Sequence, residues 1–502
     1  MKDSSEIKDQ LIKNSLWGII NSVINRVGGF ILIILISRML MPEGFGRYSL
    51  AMTIALFFIA FSDLGINQTL IRYVSLEIDK NNKKASSYFK YLFKIKFFLT
   101  LAASLILFLG AYLLSLYVFK DSSLFFPLLM LSIYVFFLSL SDFLESLFFI
   151  RKNVKYLSIK EFLSILFKVT CIILIWFFIS PGLKLNWIFV SLACFSILVF
   201  LFIFSLSKKK YFLLFNQKKI PVNTKDLSRF LLSVNIKNIS LLIFSNITII
   251  LLGIFLTSEF VGYYTSSWAL VSGIISLLFS FSYVFLPVFT NVKEETFRSI
   301  FKKIFRISFL IALPISFGLS LLSTFFIKVI YGDDYLLASI PLSILPFIIP
   351  LIVGTNLALD SFFARNKQKT FSLVMFVFAG IFIFLNYLFI RLLSPLSGEV
   401  TLLGISIINL IIWSSCFIFA VCLLKKEMNI NVFSRDLMKS VISCFVMSAF
   451  ILISIELVEN LTLFSGIILI ILSAIIYFSF LLLIKGITKE DFVSIQQVIK
   501  KR

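Results

Sequence analysis

Stretches such as Leu402–Leu424 and Thr462–Ile484 run the length of a membrane-crossing helix without one charged residue. About 20 apolar residues carry a helix through the hydrocarbon core of a bilayer. Runs of this kind recur along the whole chain, and no other feature limits its folding so tightly. Only 14% of the 502 residues are charged, 60% are hydrophobic and the mean hydropathy is +1.03. A soluble protein carries roughly a quarter of its residues as charges, so lipid must be this chain's solvent. Only helices and closed barrels satisfy their backbone in lipid. Barrel strands alternate apolar and polar residues over short segments, and these runs do not alternate. The expected fold is therefore all-α, an integral membrane protein of about 14 transmembrane helices.

Spans are expected near Ser15–Ser37, Tyr48–Ile71, Leu92–Tyr117, Ser123–Phe148, Leu157–Ser180, Asn186–Leu206 and Phe230–Leu256. Seven more are expected near Gly262–Val288, Phe305–Ile330, Leu337–Phe362, Phe371–Leu392, Leu402–Leu424, Leu437–Leu457 and Thr462–Ile484. The first run is too long for a cleaved signal peptide and is expected to stay as a helix.

The linkers then give an orientation. With both termini in the cytoplasm, about 39 of the 47 Lys and Arg residues fall on the inner side. The outer loops hold only Arg38, Arg47, Lys120, Lys184, Lys328 and Arg391. This is the positive-inside pattern of a multi-pass inner-membrane protein. It accounts for most of the net charge of +22 without a nucleic-acid partner. The basic runs Ser207–Lys210 and Asn216–Lys219 read as orientation signals facing an anionic leaflet. Cys171, Cys194, Cys416, Cys422 and Cys444 all lie in apolar runs, and the chain has no histidine, so no metal site is expected.

The chain also repeats itself. Glu43–Ala51 (EGFGRYSLA) is similar to Glu259–Trp268 (EFVGYYTSSW), pairing Gly46 with Gly262 and Tyr48 with Tyr264. Lys90–Phe98 pairs with Lys302–Leu310, and Phe148–Ser158 with Phe362–Ser372. Pro127 pairs with Pro341, and Pro181 with Pro395, always at an offset of 212 to 216 residues. Each unit holds six helices. An even number returns the chain to its starting side, so the halves share one orientation. The expected plan is a first half over 1–210, a cytoplasmic linker over 211–229, a second half over 230–427, and a C-terminal helix pair with a tail over 428–502. Such repeats predict a site near the midplane between the halves.

Asn14–Ser75 resembles the start of polysaccharide flippases of the Wzx type, members of the multidrug/oligosaccharidyl-lipid/polysaccharide exporter superfamily. The matching features are a small-and-polar first helix, the turn Pro42-Glu43-Gly44 with Gly46 and Tyr48, and Ser62-Asp63-Leu64-Gly65 in the second helix. Phe362–Ser372 is similar to the family's stretch after helix ten. The resemblance implies alternating-access transfer of an isoprenoid-pyrophosphate-linked oligosaccharide from the inner to the outer leaflet, for cell-surface polysaccharide assembly. It implies a central, often cationic cavity and partnership with the bilayer, the lipid-linked sugar and other polysaccharide-assembly proteins. No cofactor is expected beyond coupling to a proton or sodium gradient.

Charges inside the membrane are costly and usually face a cavity or a partner. Arg26 lies near the middle of the first span, with Asn21 and Asn25 on adjoining strips. Gly28 and Gly29 follow and permit close helix approach. Two readings stand for Arg26: a grip on the pyrophosphate, or a structural ion pair with Asp63. Lys168 and Lys237 are further cavity cations. Asp63, Asp142, Glu145 and Asp360 are candidates for coupling or for ordinary ion pairs. Pro314, Pro341, Pro346 and Pro350 invite kinks in helices nine and ten.

Two other functions compete. A drug or small-molecule exporter of the same superfamily usually needs no extra helix pair. A polysaccharide polymerase or glycosyltransferase needs acid/base or metal groups in a sizeable aqueous loop, and every outer loop is short. No catalytic residue is expected, and no GxxxxGK[ST] phosphate loop is present. The charge asymmetry makes a direct prediction: topology reporters fused after Lys210 and Arg365 read cytoplasmic, and those at Gly182 and Ser258 read external. The reverse pattern overturns the orientation.

Overall fold

The computed structural model describes residues 4–150, 154–217, 220–221, 224–290, 294–365, 368–432, 435–458 and 461–486. The side chains of 4–23, 154, 280–290, 363 and 435–436, and of scattered positions in 224–237 and 368–372, lie outside that description. Seventeen α-helices carry the described chain, and it contains no strand. They are α1 (Ser4–Asp63), α2 (Ile66–Glu77), α3 (Asn82–Leu113), α4 (Phe125–Ile150), α5 (Val154–Phe178), α6 (Lys184–Lys210), α7 (Phe212–Asn216), α8 (Thr224–Phe255) and α9 (Ser258–Thr290). The rest are α10 (Glu294–Leu321), α11 (Ser323–Ile330), α12 (Ser339–Ile344), α13 (Ile348–Ala364), α14 (Gln368–Leu393), α15 (Gly398–Met428), α16 (Arg435–Leu457) and α17 (Leu463–Leu483).

Thirteen spans among the described residues are long and apolar enough to cross a bilayer. The first, Ile24–Glu77, is 54 residues long. At 1.5 Å per residue that is about 80 Å, more than twice a hydrocarbon core of about 30 Å. It is broken at Met41, whose backbone (φ 60, ψ 172) is not helical. Pro42 follows, and a proline disfavours the helical conformation in the residue before it. Counting that span as two crossings gives about fourteen, as the sequence predicts. Helix ends carry their expected caps. The Asn81 side chain accepts from the Lys83 and Lys84 amides, Ser397 accepts from Val400, and Thr462 from Ser465. Lys208, Lys209 and Lys210 close α6 at its negative pole.

The helices cluster into two compact units, Met1–Thr265 with Ser372–Ser394, and Ser266–Phe371 with Pro395–Arg502. In the first, α2, α3, α4 and α6 close on a core of Leu70, Phe89, Phe143, Leu147 and Ile203. Helices α8 and α14 meet through Thr248, whose hydroxyl donates to Asn386 Oδ1 at 2.8 Å, and through the rings of Phe244 and Phe382.

The first unit also holds a contact between the two repeats. A Cβ on Gly46 would fall on the Ser258 carbonyl, and a Cβ on Gly262 would fall on the Pro42 carbonyl. Gly46 and Gly262 are repeat equivalents, and so are Pro42 and Ser258. The contact is therefore its own image under the repeat, as in a two-fold interface. Equivalent turns that touch must lie on one side of the membrane, which gives the halves the shared orientation read from the helix count. Asp121 ties the seam together. It accepts from Arg47 Nε at 2.7 Å and from the Ser258 hydroxyl at 3.1 Å. Burial alone would raise the Asp121 pKa, but the Arg47 guanidinium, the Ser123 amide and the Ser258 hydroxyl hold it below its usual value.

In the second unit, Phe305, Phe309 and Phe417 stack between α10 and α15. Of the prolines expected to kink these helices, Pro346 marks a break, whereas Pro314, Pro341 and Pro350 lie within continuous helices. The tenth span is interrupted by a 3-10 turn at Leu345–Phe347, between α12 and α13, and the Ser320 hydroxyl donates to the Ser343 carbonyl beside it. In α10, Pro314 lacks the N–H that would bond the Leu310 carbonyl. Tyr477 of α17 fills that gap: its hydroxyl donates to Leu310 O at 3.0 Å and shares a 2.7 Å bond with Ser440 of α16. The C-terminal helix pair is thus anchored to the carbonyl that the proline frees. Tyr477→Phe leaves that carbonyl without a donor at a cost of about 1–3 kcal/mol. It should lower the unfolding midpoint of the detergent-solubilised protein by several degrees; an unchanged midpoint contradicts this anchoring.

Candidate functional site

Ion pairs run through the interior of the first unit on α1, α3, α4 and α5. The Lys96 side chain is 1% exposed, and its ammonium lies 3.3 Å from Asp63 Oδ1. Lys160 reaches Glu145 at 2.9 Å and Glu161 at 2.7 Å. Asp142 stands one turn before Glu145 on α4, in the field of both lysines and of the Asp63 and Glu145 carboxylates. Asp63, Asp142 and Glu145, singled out from sequence, thus share one network. Asp63, offered from the sequence as a possible partner of Arg26, pairs with Lys96.

Lys96, Lys160 and Glu161 were missed as site residues. In the sequence they lie close to the cytoplasmic ends of apolar runs, where lysines ordinarily serve as orientation charges. The repeat carries the missing signal. Following it, Ser308 stands in for Lys96, Asn356 for Asp142, Leu359 for Glu145, Val374 for Lys160 and Phe279 for Asp63. The second half is built without these charges, so the six-helix plan does not require them. Replacing buried ion pairs by apolar residues is often neutral or stabilising, and their presence in one half only sets that half apart.

A cavity of about 160 Å³ lies beside the network, walled by α1, α4, α5 and α6. Gly29, Tyr48, Tyr134, Lys168 and Ser191 are among its lining residues. The two expected small residues of α1 act differently. Gly28 packs on Ile165 of α5 with no room for a Cβ, whereas a Cβ on Gly29 would meet nothing within 4 Å. The Lys168 ammonium sits 4.6 Å from the centre of the Phe195 ring, a cation–π contact. Arg26 is half-buried, makes a contact of its own, and precedes Gly29 by one helical turn, on the stripe that lines the cavity. Asn25 is exposed. The side chains of Asn21 and Lys237 lie outside the described residues. Asp360 is on α13, in the second unit, half-buried and engaged there. Among the described residues no group of three or more Asp, Glu, Cys or His side chains could hold a metal ion.

Residues 35–340 match a family model described as polysaccharide biosynthesis protein. No curated protein matches the chain in sequence. Among solved structures, the chain is similar to the lipid II flippase MurJ in an inward closed conformation. The TM-score is 0.69 at 17% identity, over 93% of this chain and 97% of that one. It is also similar to an inward-facing multidrug resistance MATE family transporter of the MOP superfamily. That match has a TM-score of 0.63 at 14% identity, over 81% of this chain and 96% of the other. A MOP superfamily transporter from Pyrococcus furiosus matches with a TM-score of 0.53 at 12% identity, over 84% and 96% of the two chains. At these identities the likeness establishes the fold.

The buried network makes its own prediction. Lys96→Met leaves Asp63 without its cation, at a cost of about 3 kcal/mol or more, and should cut membrane abundance and the unfolding midpoint. Adding Asp63→Leu removes the stranded charge and should restore both. A double variant as poor as the single one contradicts the pairing.

Proposed function

We propose, because the chain belongs to the polysaccharide biosynthesis protein family, that it is a flippase for an isoprenoid-pyrophosphate-linked oligosaccharide. It carries this substrate from the inner to the outer leaflet by alternating access, in the inner membrane and with both termini in the cytoplasm. The observation that carries the reading is the pairing of cations with a cavity at membrane depth. Lys168 lines the cavity, and Arg26 lies one turn from it. A pyrophosphate offers both residues charge-assisted hydrogen bonds that lipid cannot. Arg26 suits a forked contact to two phosphate oxygens, and Lys168 acts as a point charge.

Other parts of the molecule fit the same work. With lysine-rich linkers inside, the Gly46–Gly262 seam lies on the outer side. The Lys96, Asp63, Asp142, Glu145 and Lys160 network provides carboxylates for coupling to a proton or sodium gradient. Other polysaccharide-assembly proteins supply the lipid-linked sugar and receive it. The second reading, a small-molecule exporter, draws on the likeness to the multidrug transporter. That likeness spans 81% of this chain, against 93% for the lipid II flippase; the lipid-linked substrate is preferred because the family model is one for polysaccharide biosynthesis proteins.

Export of the surface polymer, scored against membrane protein level, tests the assignment. Arg26→Ala should be close to null at normal abundance. Arg26→Lys keeps the charge but loses the planar fork, and should retain part of the activity. Wild-type export from well-expressed Arg26→Ala ends the substrate-binding role of this residue.

A further inference from the structure

The lining of the cavity says which part of the substrate suits it. Its aliphatic wall is formed by Leu32, Ile33, Ile36, Ile172, Ile188 and Leu192. An apolar cavity of about 150 Å³ accommodates a benzene molecule, so about 160 Å³ holds an apolar group of five or six carbons. A sugar ring would need hydrogen-bond partners on every side, and besides the Lys168 ammonium the side chains of the wall offer only the hydroxyls of Tyr48, Tyr134 and Ser191. The last already donates to the Ile188 carbonyl at 2.7 Å.

One cation stands in this wall. Among the described residues no carboxylate lies within ion-pair distance of Lys168: Glu161, on the same helix, is taken by Lys160 at 2.7 Å, and Asp63 by Lys96. The Phe195 ring is the contact it has. An ammonium held at membrane depth against a ring gains most from an anion. A ligand that joins an apolar group directly to an anionic one meets both the aliphatic wall and the ammonium.

We propose that the cavity between α1, α5 and α6 takes the first isoprene unit of the carrier lipid, with the adjoining phosphate on the Lys168 ammonium. The inference rests on the flippase reading and deepens it. The site grips the junction that every isoprenoid-pyrophosphate substrate shares and leaves the sugar outside, so recognition at this point is independent of the sugar. Arg26, one turn from Gly29, is placed for the second phosphate. Gly29 matters because it leaves the space open: a larger side chain there enters the cavity without striking the backbone.

The test uses the purified full-length protein in nanodiscs and farnesyl pyrophosphate as the probe, read by calorimetry. Wild type should bind it. Lys168→Met, which removes the charge, and Gly29→Leu, which fills the cavity and keeps the charge, should each weaken binding at least about tenfold, a loss of about 1.4 kcal/mol. The unfolding midpoint is measured for both, and either variant that folds suffices. Inorganic pyrophosphate should bind more weakly and be indifferent to Gly29→Leu, and farnesol should bind poorly because it lacks the anion. Unchanged farnesyl pyrophosphate binding by both folded variants overturns the proposal. Equal competition by phosphatidic acid overturns it too, since the site would then take any anionic lipid. Transport of a lipid-linked oligosaccharide by the same wild-type preparation separates the two levels. Transport with variant-insensitive probe binding defeats this placement alone, and absence of transport defeats the flippase reading itself.

Discussion

Inside a bilayer every backbone carbonyl and every charge must find its partner within the protein, because lipid supplies none. Much of the architecture follows from that rule. Pro314 frees the Leu310 carbonyl, and the Tyr477 hydroxyl occupies it, so a helix pair outside the six-plus-six repeat is fixed to the second half by one missing N–H. The interrupted tenth span obeys the same rule, with the Ser320 hydroxyl on the Ser343 carbonyl. Lys96, almost wholly buried, is tolerable because Asp63 meets it. Lys168 is the informative departure, since the rule is met there by an aromatic ring and an open cavity.

The repeat separates what the fold needs from what the function adds. Gly46 and Gly262 make a reciprocal contact through equivalent residues, so this seam belongs to the common plan of both halves. The charges do not. Each residue of the Lys96, Asp63, Asp142, Glu145 and Lys160 network has a neutral counterpart in the second half. This one network is confined to the first half, and the cavity with Lys168 lies in the same half.

Much of this was legible in the sequence. Apolar run length gave about fourteen crossings, since it depends only on bilayer thickness. The motif pairs gave the repeat, and Gly46 and Gly262 are among the residues at which the repeats touch. Arg26 and Lys168 were visible because a charge in the middle of an apolar run has no ordinary explanation. Lys96 and Lys160 were not. Their positions near span ends fit snorkelling or orientation equally well, and only tertiary packing distinguishes a buried lysine from an interfacial one. Lys96 as the partner of Asp63 was not legible for the same reason: helix-to-helix neighbours are set by packing, which spacing along the chain does not encode. The different fates of Gly28 and Gly29, one packed and one open, likewise depend on where α5 lies.

The central claim is that this member of the polysaccharide biosynthesis protein family moves a lipid-linked oligosaccharide, with cations at a membrane-depth cavity as its grip. The most direct measurement is leaflet-specific enzymatic labelling of an isoprenoid-pyrophosphate oligosaccharide in proteoliposomes containing the purified protein. The account predicts that labelled substrate appears in the opposite leaflet with wild type and stays at the protein-free rate with a folded Arg26→Ala, Lys168→Met double variant. Equal translocation by wild type and the double variant would contradict it, as would no translocation by a wild-type protein that instead exports small cationic drugs.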